Sequence, residues 1–440
     1  METTLPTEFQ TYTKTLMGDT LYARFLDSLN EEPPVSLRIN PFKRTAEYKV
    51  NERYAAEPVS WCRHAYYLSK RPNFTFDPLF HAGVYYVQEA ASMFLDHVVR
   101  HFTDNRPVLA LDLCAAPGGK TTCLAAALPP KSFLFANEPM KKRVQILAEN
   151  RQKFGAPNLL VTNNYPADYR KTNLRFDLIV ADVPCSGEGM FRKDPQTIGE
   201  WSTQNVMQCQ QLQRTIIADI WHNLKEGGLL VYSTCTFNAH ENEENIAWIL
   251  NNFSAELLSV PIEDAWNIMG SLIGNPVEDK QTAFPVYRFI PGTSKSEGLF
   301  MAVVRKGKQG DTSLPSTTSE TIKKAVSEAH KQLKVISSGV STPTIKGKTI
   351  LPDHSLALAV SDQKLPYPTI DIDYETAIAY LRREAIHLAE DAPKGIVLLT
   401  YRNHSIGFAK NLGNRANNLY PQEWRIKSTH VPAEDCIITW

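Results

Sequence analysis

Two cysteines, each placed just after a strand-like run, set up the chemistry of this 440-residue chain. In FDLIVADVPCSGEGMFRKDP (176–195) the residues from Asp177 to Ala181 are mostly apolar and end on Asp182. That is the pattern of a buried parallel strand delivering a carboxylate at its carboxyl end. Pro184, Cys185, Ser186, Gly187 and Gly189 then form a small-residue loop, with a thiol beside the carboxylate. Ligands of open α/β sheets bind beyond the carboxyl ends of the strands, so Cys185 is placed for chemistry. The competing reading is a structural thiol, since free cysteine is among the most buried residue types. The Asp182-Pro-Cys-Ser-Gly context favours function. A second thiol follows in EGGLLVYSTCTF (226–237), where Gly227 and Gly228 lead into a strand ending Ser233-Thr234-Cys235-Thr236. The next run, AHENEENIAWIL (239–250), opens a helix with acidic residues that suit its macrodipole. Glu241, Glu243 and Glu244 accordingly read as capping charges. Lys193 offers positive charge near the site, with a surface position as the equal alternative.

The elements that position these groups begin at PVLALDLCAAPGGKTTCLAAAL (107–128): strand, small-residue loop with Gly118 and Gly119, then helix. This is the first βα unit of a nucleotide-type fold, where a ligand approaches closely over glycines at a helix N-terminus. It is not a Walker A loop, because Cys114 stands where that motif needs glycine, and no GxGxxG is present. An adenosine ligand without a pyrophosphate fits. KSFLFANE (131–138) is a second strand ending on Glu138, placed to reach ribose hydroxyls. A helix (141–155) and the strand NLLVTNN (158–164) follow, with Asn163 or Asn164 available to an adenine edge.

Composition bounds the partners. The chain has 47 basic and 47 acidic residues, so any basic face must be local. Seven scattered cysteines without a CxxC pair give no basis for a zinc site or a disulfide framework, and no metal is expected. No signal-peptide pattern opens the sequence, and no apolar run approaches the ~18 residues of a membrane span. The expectation is a soluble, cytoplasmic protein. Residues 36–75 hold eight basic side chains against three acidic ones, interleaved with Tyr54, Trp61, Tyr66 and Tyr67. Cations answer phosphates and aromatic faces stack on unpaired bases, so this region is a candidate RNA contact, with a solvated basic face as the alternative.

Three ordered motifs, LCAAPGGKT (113–121), DVPCSG (182–187) and YSTCTF (232–237), resemble the signatures of the Sun/Fmu family of RNA cytosine-5 methyltransferases. The resemblance runs from SLRINP (36–41) to SKSEGLFMAVVRK (294–306) and continues into a C-terminal portion similar to that of RsmF-type rRNA methyltransferases. It implies an α/β fold: a class I, Rossmann-like sheet with seven strands and one antiparallel edge. It also implies S-adenosyl-L-methionine as cofactor. The candidate cofactor residues are Cys114, Ala115, Ala116, Pro117, Gly118, Gly119 and Lys120, with Glu138, Arg143, Asn164 and Asp182.

Cytosine carbon 5 is a poor nucleophile, so a thiolate must add at carbon 6 to make an enamine-like intermediate. The family resemblance assigns that attack to Cys235 and product release, by helping β-elimination, to Cys185. Asp182 is the candidate acid at N3. DNA cytosine-5 methyltransferases use the Pro-Cys thiol as nucleophile, so the letters alone leave the two roles open to exchange.

The flanking regions complete the organisation. Residues 1–100 read as an α+β RNA-contacting region, 101–307 as the catalytic domain, 308–345 as a linker with a probable helix, and 346–440 as a PUA-like RNA-binding region. Basic residues crowd 321–348 and 394–427, and GIVLLTYRNHSIGFAKNL (395–412) reads as a hairpin. The expected partner is small-subunit rRNA or an assembling ribosomal subunit. A tRNA-modifying relative would share every catalytic residue. A non-catalytic assembly factor should lack a thiol or the cofactor acid, yet Cys185, Cys235, Asp182 and Glu138 are all present.

Overall fold

The computed structural model describes residues 5–43, 48–274, 284–307, 314–347, 349–361, 363–428 and 430–439. At its centre is a nine-stranded sheet. In chain order the strands are β1 (Leu109–Asp112), β2 (Phe133–Asn137), β3 (Leu159–Thr162), β4 (Phe176–Asp182), β5 (Leu224–Thr234), β6 (Ala255–Leu258), β7 (Tyr287–Phe289), β8 (Leu299–Lys306) and β9 (Val335–Ser338). They lie in the order β6-β8-β5-β4-β1-β2-β3-β9, with β7 paired to β8. Strands β1 to β5 are mutually parallel, and β8 runs against β5.

The apolar run of β4 is continuous because both faces of the strand are covered. Leu178 and Val180 face one core, with Ala110, Leu134, Val161 and Val231. Ile179 and Ala181 face the other, with Leu111, Phe135, Leu160 and Tyr232. Successive side chains of a strand alternate between faces, so one short run serves two cores. Full burial of each large apolar side chain contributes about 1.5–3 kcal/mol.

The sheet exceeds the seven strands implied by the resemblance, because β7 and β9 are added. Within 308–345, read as a linker with a helix, the helix is present and β9 is an addition to the reading. Helix Ser319–Gln332 packs its Ile322, Ala325 and Ala329 into the sheet's second core, and β9 then pairs antiparallel with β3. The linker residues 308–313 lie outside the described residues, as do Arg44, Glu47 and Lys348 of the basic stretches.

The terminal regions are not independent. Val35–Ile39, Ala65–Leu68 and Tyr85–Val87 belong to a four-stranded sheet near the N-terminus. The C-terminal sheet is built from Thr369–Asp371, the expected hairpin Gly395–Tyr401 with His404–Asn411, and Ala416–Asn418. One core joins them, running from Leu37, Ile39 and Tyr85 to Tyr380, Leu399 and Ile438. Lys49–Val50 pairs directly with Ile438–Thr439. The boundary between residues 1–100 and 346–440 is therefore a shared apolar interior. Among the described residues, no helix is long and apolar enough to cross a membrane.

Candidate active site

Strands β4 and β5 are in register with Asp182 opposite Ser233. The two cysteine loops therefore leave the sheet side by side, and their Sγ atoms lie 3.2 Å apart. A buried carboxylate that the sequence reading passed over, Glu188, ties these loops together. Its Oε2 accepts from the backbone N–H of Phe237 at 2.6 Å and of Asn238 at 3.0 Å. Its Oε1 accepts from Trp201 Nε1 and from Asn238 Nδ2, each at 3.0 Å. Glu241 does the same for the other loop, accepting from Ser186 N at 3.0 Å and Gln213 Nε2 at 2.7 Å. Gly189 is required here, because a Cβ on it would meet the Cys235 carbonyl oxygen at 2.8 Å.

The acidic run is thus not a set of solvated caps. Glu241 and Glu243 are fully buried, and Glu243 forms a two-point ion pair with Arg288. Only Glu244 is more exposed; it pairs with His240 at 2.9 Å.

The sulfur of Cys235, followed by burial, pushes the Cys185 thiol well above its usual range. Beside it, Asp182 accepts from Ser233 Oγ at 2.7 Å through one oxygen and pairs with Lys120 Nζ at 2.9 Å through the other. Burial works against the Lys120 charge, but Asp182 and Cys235 outweigh it and raise the ammonium's pKa. Cys235, Asp182 and Lys120 line a cleft of about 300 Å³ with Tyr86, Glu89, Cys114 to Pro117 and Lys193. Lys193 thus belongs to the cleft.

The adenosine-type loop has the features of a ligand cradle. Gly118 has φ 118°, a conformation L side chains rarely adopt, and Gly119 starts helix Gly119–Ala127. Asp112, at the end of β1, accepts from Thr121 Oγ1 at 2.6 Å through one oxygen, while its other oxygen is buried without a partner. Burial pushes its carboxyl up to about 7. Glu138 is 1 % exposed; its Oε1 accepts from Met140 N at 2.9 Å, and its Oε2 has no hydrogen bond. Two orphaned carboxylate oxygens beside a glycine turn fit a ligand that brings hydroxyl or ammonium donors, as S-adenosylmethionine does.

The remaining cofactor candidates divide. Arg143 lies 3.4 Å from Glu138 and donates to the Ala116 carbonyl at 2.7 Å, so it braces the loop. Asn163 turns its amide to the carbonyls of Glu138 and Pro139, each at 2.9 Å. Asn164 accepts from Lys334 N at 3.0 Å, a bond supplied by the segment read as linker.

Residues 103–305, which hold both thiols and the loop, match the family described as 16S rRNA methyltransferase RsmB/F. The chain belongs to the RsmB/F methyltransferase family. It is therefore an S-adenosylmethionine-dependent methyltransferase. Residues 5–90 match the N-terminal domain of 16S rRNA methyltransferase RsmF, and 367–426 match the RsmF PUA domain. The chain is 28% identical over 434 residues to ribosomal RNA small subunit methyltransferase F of Aliivibrio salmonicida, covering 88% of each chain. It is 27% identical over 474 residues to the protein of that name from Salmonella agona, covering 95% of this chain and 96% of the other. Its fold is shared with a methyltransferase homologue from Pyrococcus horikoshii, at TM-score 0.55 and 24% identity, over 69% of this chain and 100% of that one.

The N-terminal stretch read as a candidate RNA contact keeps exposed cations, Lys49, Arg53, Arg63, Lys70 and Arg71, but not its stacking aromatics. Tyr54, Trp61 and Tyr67 are buried and cannot offer faces to bases, and Arg38 is 2 % exposed. Arg38 instead reaches across to donate to Gln88 and to Thr122 of the helix after the glycine loop. These residues dock the N-terminal region on the catalytic sheet; Tyr66 is only half-buried.

Proposed function

We propose that this RsmB/F enzyme methylates carbon 5 of a cytosine in small-subunit rRNA, through a covalent bond between Cys235 and carbon 6 of the base. The observation that carries this reading is the pair of thiols 3.2 Å apart beside the Lys120–Asp182 ion pair. Bound S-adenosylmethionine supplies an electrophilic methyl group. Glu138, Asp112 and the loop from Cys114 to Lys120 hold it.

The family resemblance gives the attack on carbon 6 to Cys235, and of the two thiols it is Cys235 that lines the cleft. Addition pushes an electron pair towards carbon 5 and charge towards N3. Asp182 and Lys120 answer that charge: the ammonium is the proton-bearing partner, and the carboxylate fixes its direction. After methylation the carbon-5 proton and the sulfur–carbon bond must both be lost. The Cys185 proton passes to the departing Cys235 sulfur, and the Cys185 thiolate so formed takes the proton from carbon 5. The proton that carbon 5 loses thus ends on the thiol pair, and it passes to solvent before Cys235 attacks again as a thiolate. Lys193 lines the same cleft and faces the phosphates of the target strand.

The work is cytoplasmic, on free rRNA or on an assembling subunit. The test is 5-methylcytosine mapping in small-subunit rRNA and tRNA from cells with and without the gene. Purified enzyme is then given naked rRNA or small subunits. Loss of one rRNA site, restored by the purified chain, is the expected result. Loss confined to tRNA would overturn the rRNA assignment.

A further inference from the structure

A cavity of about 600 Å³ away from the thiols lies between helix Lys141–Phe154, residues 355–361 and 363–366, and the C-terminal sheet. Arg151 lines it at 5 % exposure. Its Nη1 donates to Ser337 Oγ at 3.2 Å and to the Gly339 carbonyl at 2.7 Å, while its Nε is buried without a partner. No carboxylate pairs with it among the described residues, and none lines the cavity. Burial alone pulls its pKa down, to about 10. An unpaired buried cation is costly unless a counter-charge arrives. Lys364, exposed at the same cavity, adds a second cation, and Ser361, Asn403 and Ser405 add neutral hydrogen-bonding groups.

We propose that this cavity binds a phosphate group of the substrate RNA, with Arg151 and Lys364 neutralising it. Among the described residues the lining holds two cations, neutral donors and no acid, the make-up of an anion site, and guanidinium is the group best matched to phosphate oxygens. The inference rests on the rRNA reading above, and it makes the groove between catalytic sheet and C-terminal sheet part of the RNA path. Inorganic phosphate presents the same chemistry, so the test separates the two sources.

The full-length chain is titrated with a small-subunit rRNA fragment across a salt series, and separately with inorganic phosphate followed by its phosphorus resonance. Lys364→Ala, at an exposed position, should keep its melting temperature and its affinity for S-adenosylmethionine. It should weaken RNA binding several-fold and lower the salt slope by about one. Arg151→Gln should lower the slope similarly, whatever it does to stability; an arginine that only braces β9 would lower the melting temperature and leave the slope alone. Unchanged RNA affinity and slope in Lys364→Ala, beside a methylating wild type, would overturn this inference and spare the function. So would phosphate binding that Lys364→Ala abolishes without any change in RNA binding, which would assign the cavity to the free anion. A wild type that binds no rRNA would bring down both readings.

Discussion

The Sγ atoms of Cys185 and Cys235 stand 3.2 Å apart across two loops that leave neighbouring parallel strands. The contact follows from register. Asp182 and Ser233 are paired residues, so the positions a few residues beyond each strand end fall over the same crevice. It also leaves an asymmetry: the Cys235 sulfur and burial raise the Cys185 thiol, while Cys235 is the one that lines the cleft. Two residues of one type thereby acquire different chemistry, and the first two predictions use that difference.

Cys235→Ala should lower methyl transfer by roughly four orders of magnitude or more, as expected when a nucleophile is removed. Calorimetric affinity for S-adenosylmethionine should stay as it is, since this thiol attacks the base. Full activity in this variant would move the nucleophile to Cys185.

Cys185→Ala should be trapped after the methyl group has moved. On a denaturing gel with labelled RNA and cofactor, the variant should run as a covalent adduct that disappears when Cys235 is also replaced. Normal turnover with no adduct would make Cys185 a structural thiol.

Glu138→Ala should weaken S-adenosylmethionine binding by about 1–3 kcal/mol, the range for hydrogen bonds to a charged group. Glu138 Oε2 is buried with no hydrogen bond and only the Arg143 guanidinium, 3.4 Å away, beside it, and titration calorimetry reads the loss directly. An unchanged dissociation constant would place the ribose elsewhere.

Stability should fall on acidification through His354. Its two ring nitrogens are buried without partners against Tyr420 and Trp424, and burial pulls its pKa down to about 3. The unfolded chain takes up that proton near pH 6.5, so the unfolded state binds more protons below that point and stability drops as pH falls from 6.5 towards 3. By pH 5 this one group removes about 2 kcal/mol. His404 and His81 are depressed in the same direction and add to the slope. His354→Phe should remove one histidine's share of the difference between denaturant melts at pH 7 and pH 5. An identical difference in that variant would show that His354 is protonated in the fold.

The catalytic half of the chain was legible because its signals are local. A buried strand is an apolar run, a glycine turn is spelled by its glycines, and both thiols sit next to such runs. Glu188 was missed although it stands between Gly187 and Gly189, where a charged residue in a tight loop is itself a signal. Glu241 and Glu243 were misread because an acidic helix start and a buried acidic scaffold have the same letters. What separates them is Gln213 and Arg288, each brought in from another part of the fold. Strand β9 was read as linker because an edge strand needs only one apolar face, and VISS carries too little pattern to announce itself. The buried aromatics near the N-terminus were read as RNA-stacking for a related reason. Whether a tyrosine faces a base or a core depends on the C-terminal sheet and the catalytic sheet that cover it.

The pairing of Lys49–Val50 with Ile438–Thr439 bears on how the protein is made. Thr439 and Lys49 are 390 positions apart, yet they lie on one two-stranded ribbon over one shared interior. Domains generally fold as units as they leave the ribosome, amino end first. Here Lys49–Val50 and the core beneath it stay uncovered until Ile438–Thr439 has been made, so that part of the interior closes only after a segment some 390 positions later in the chain arrives.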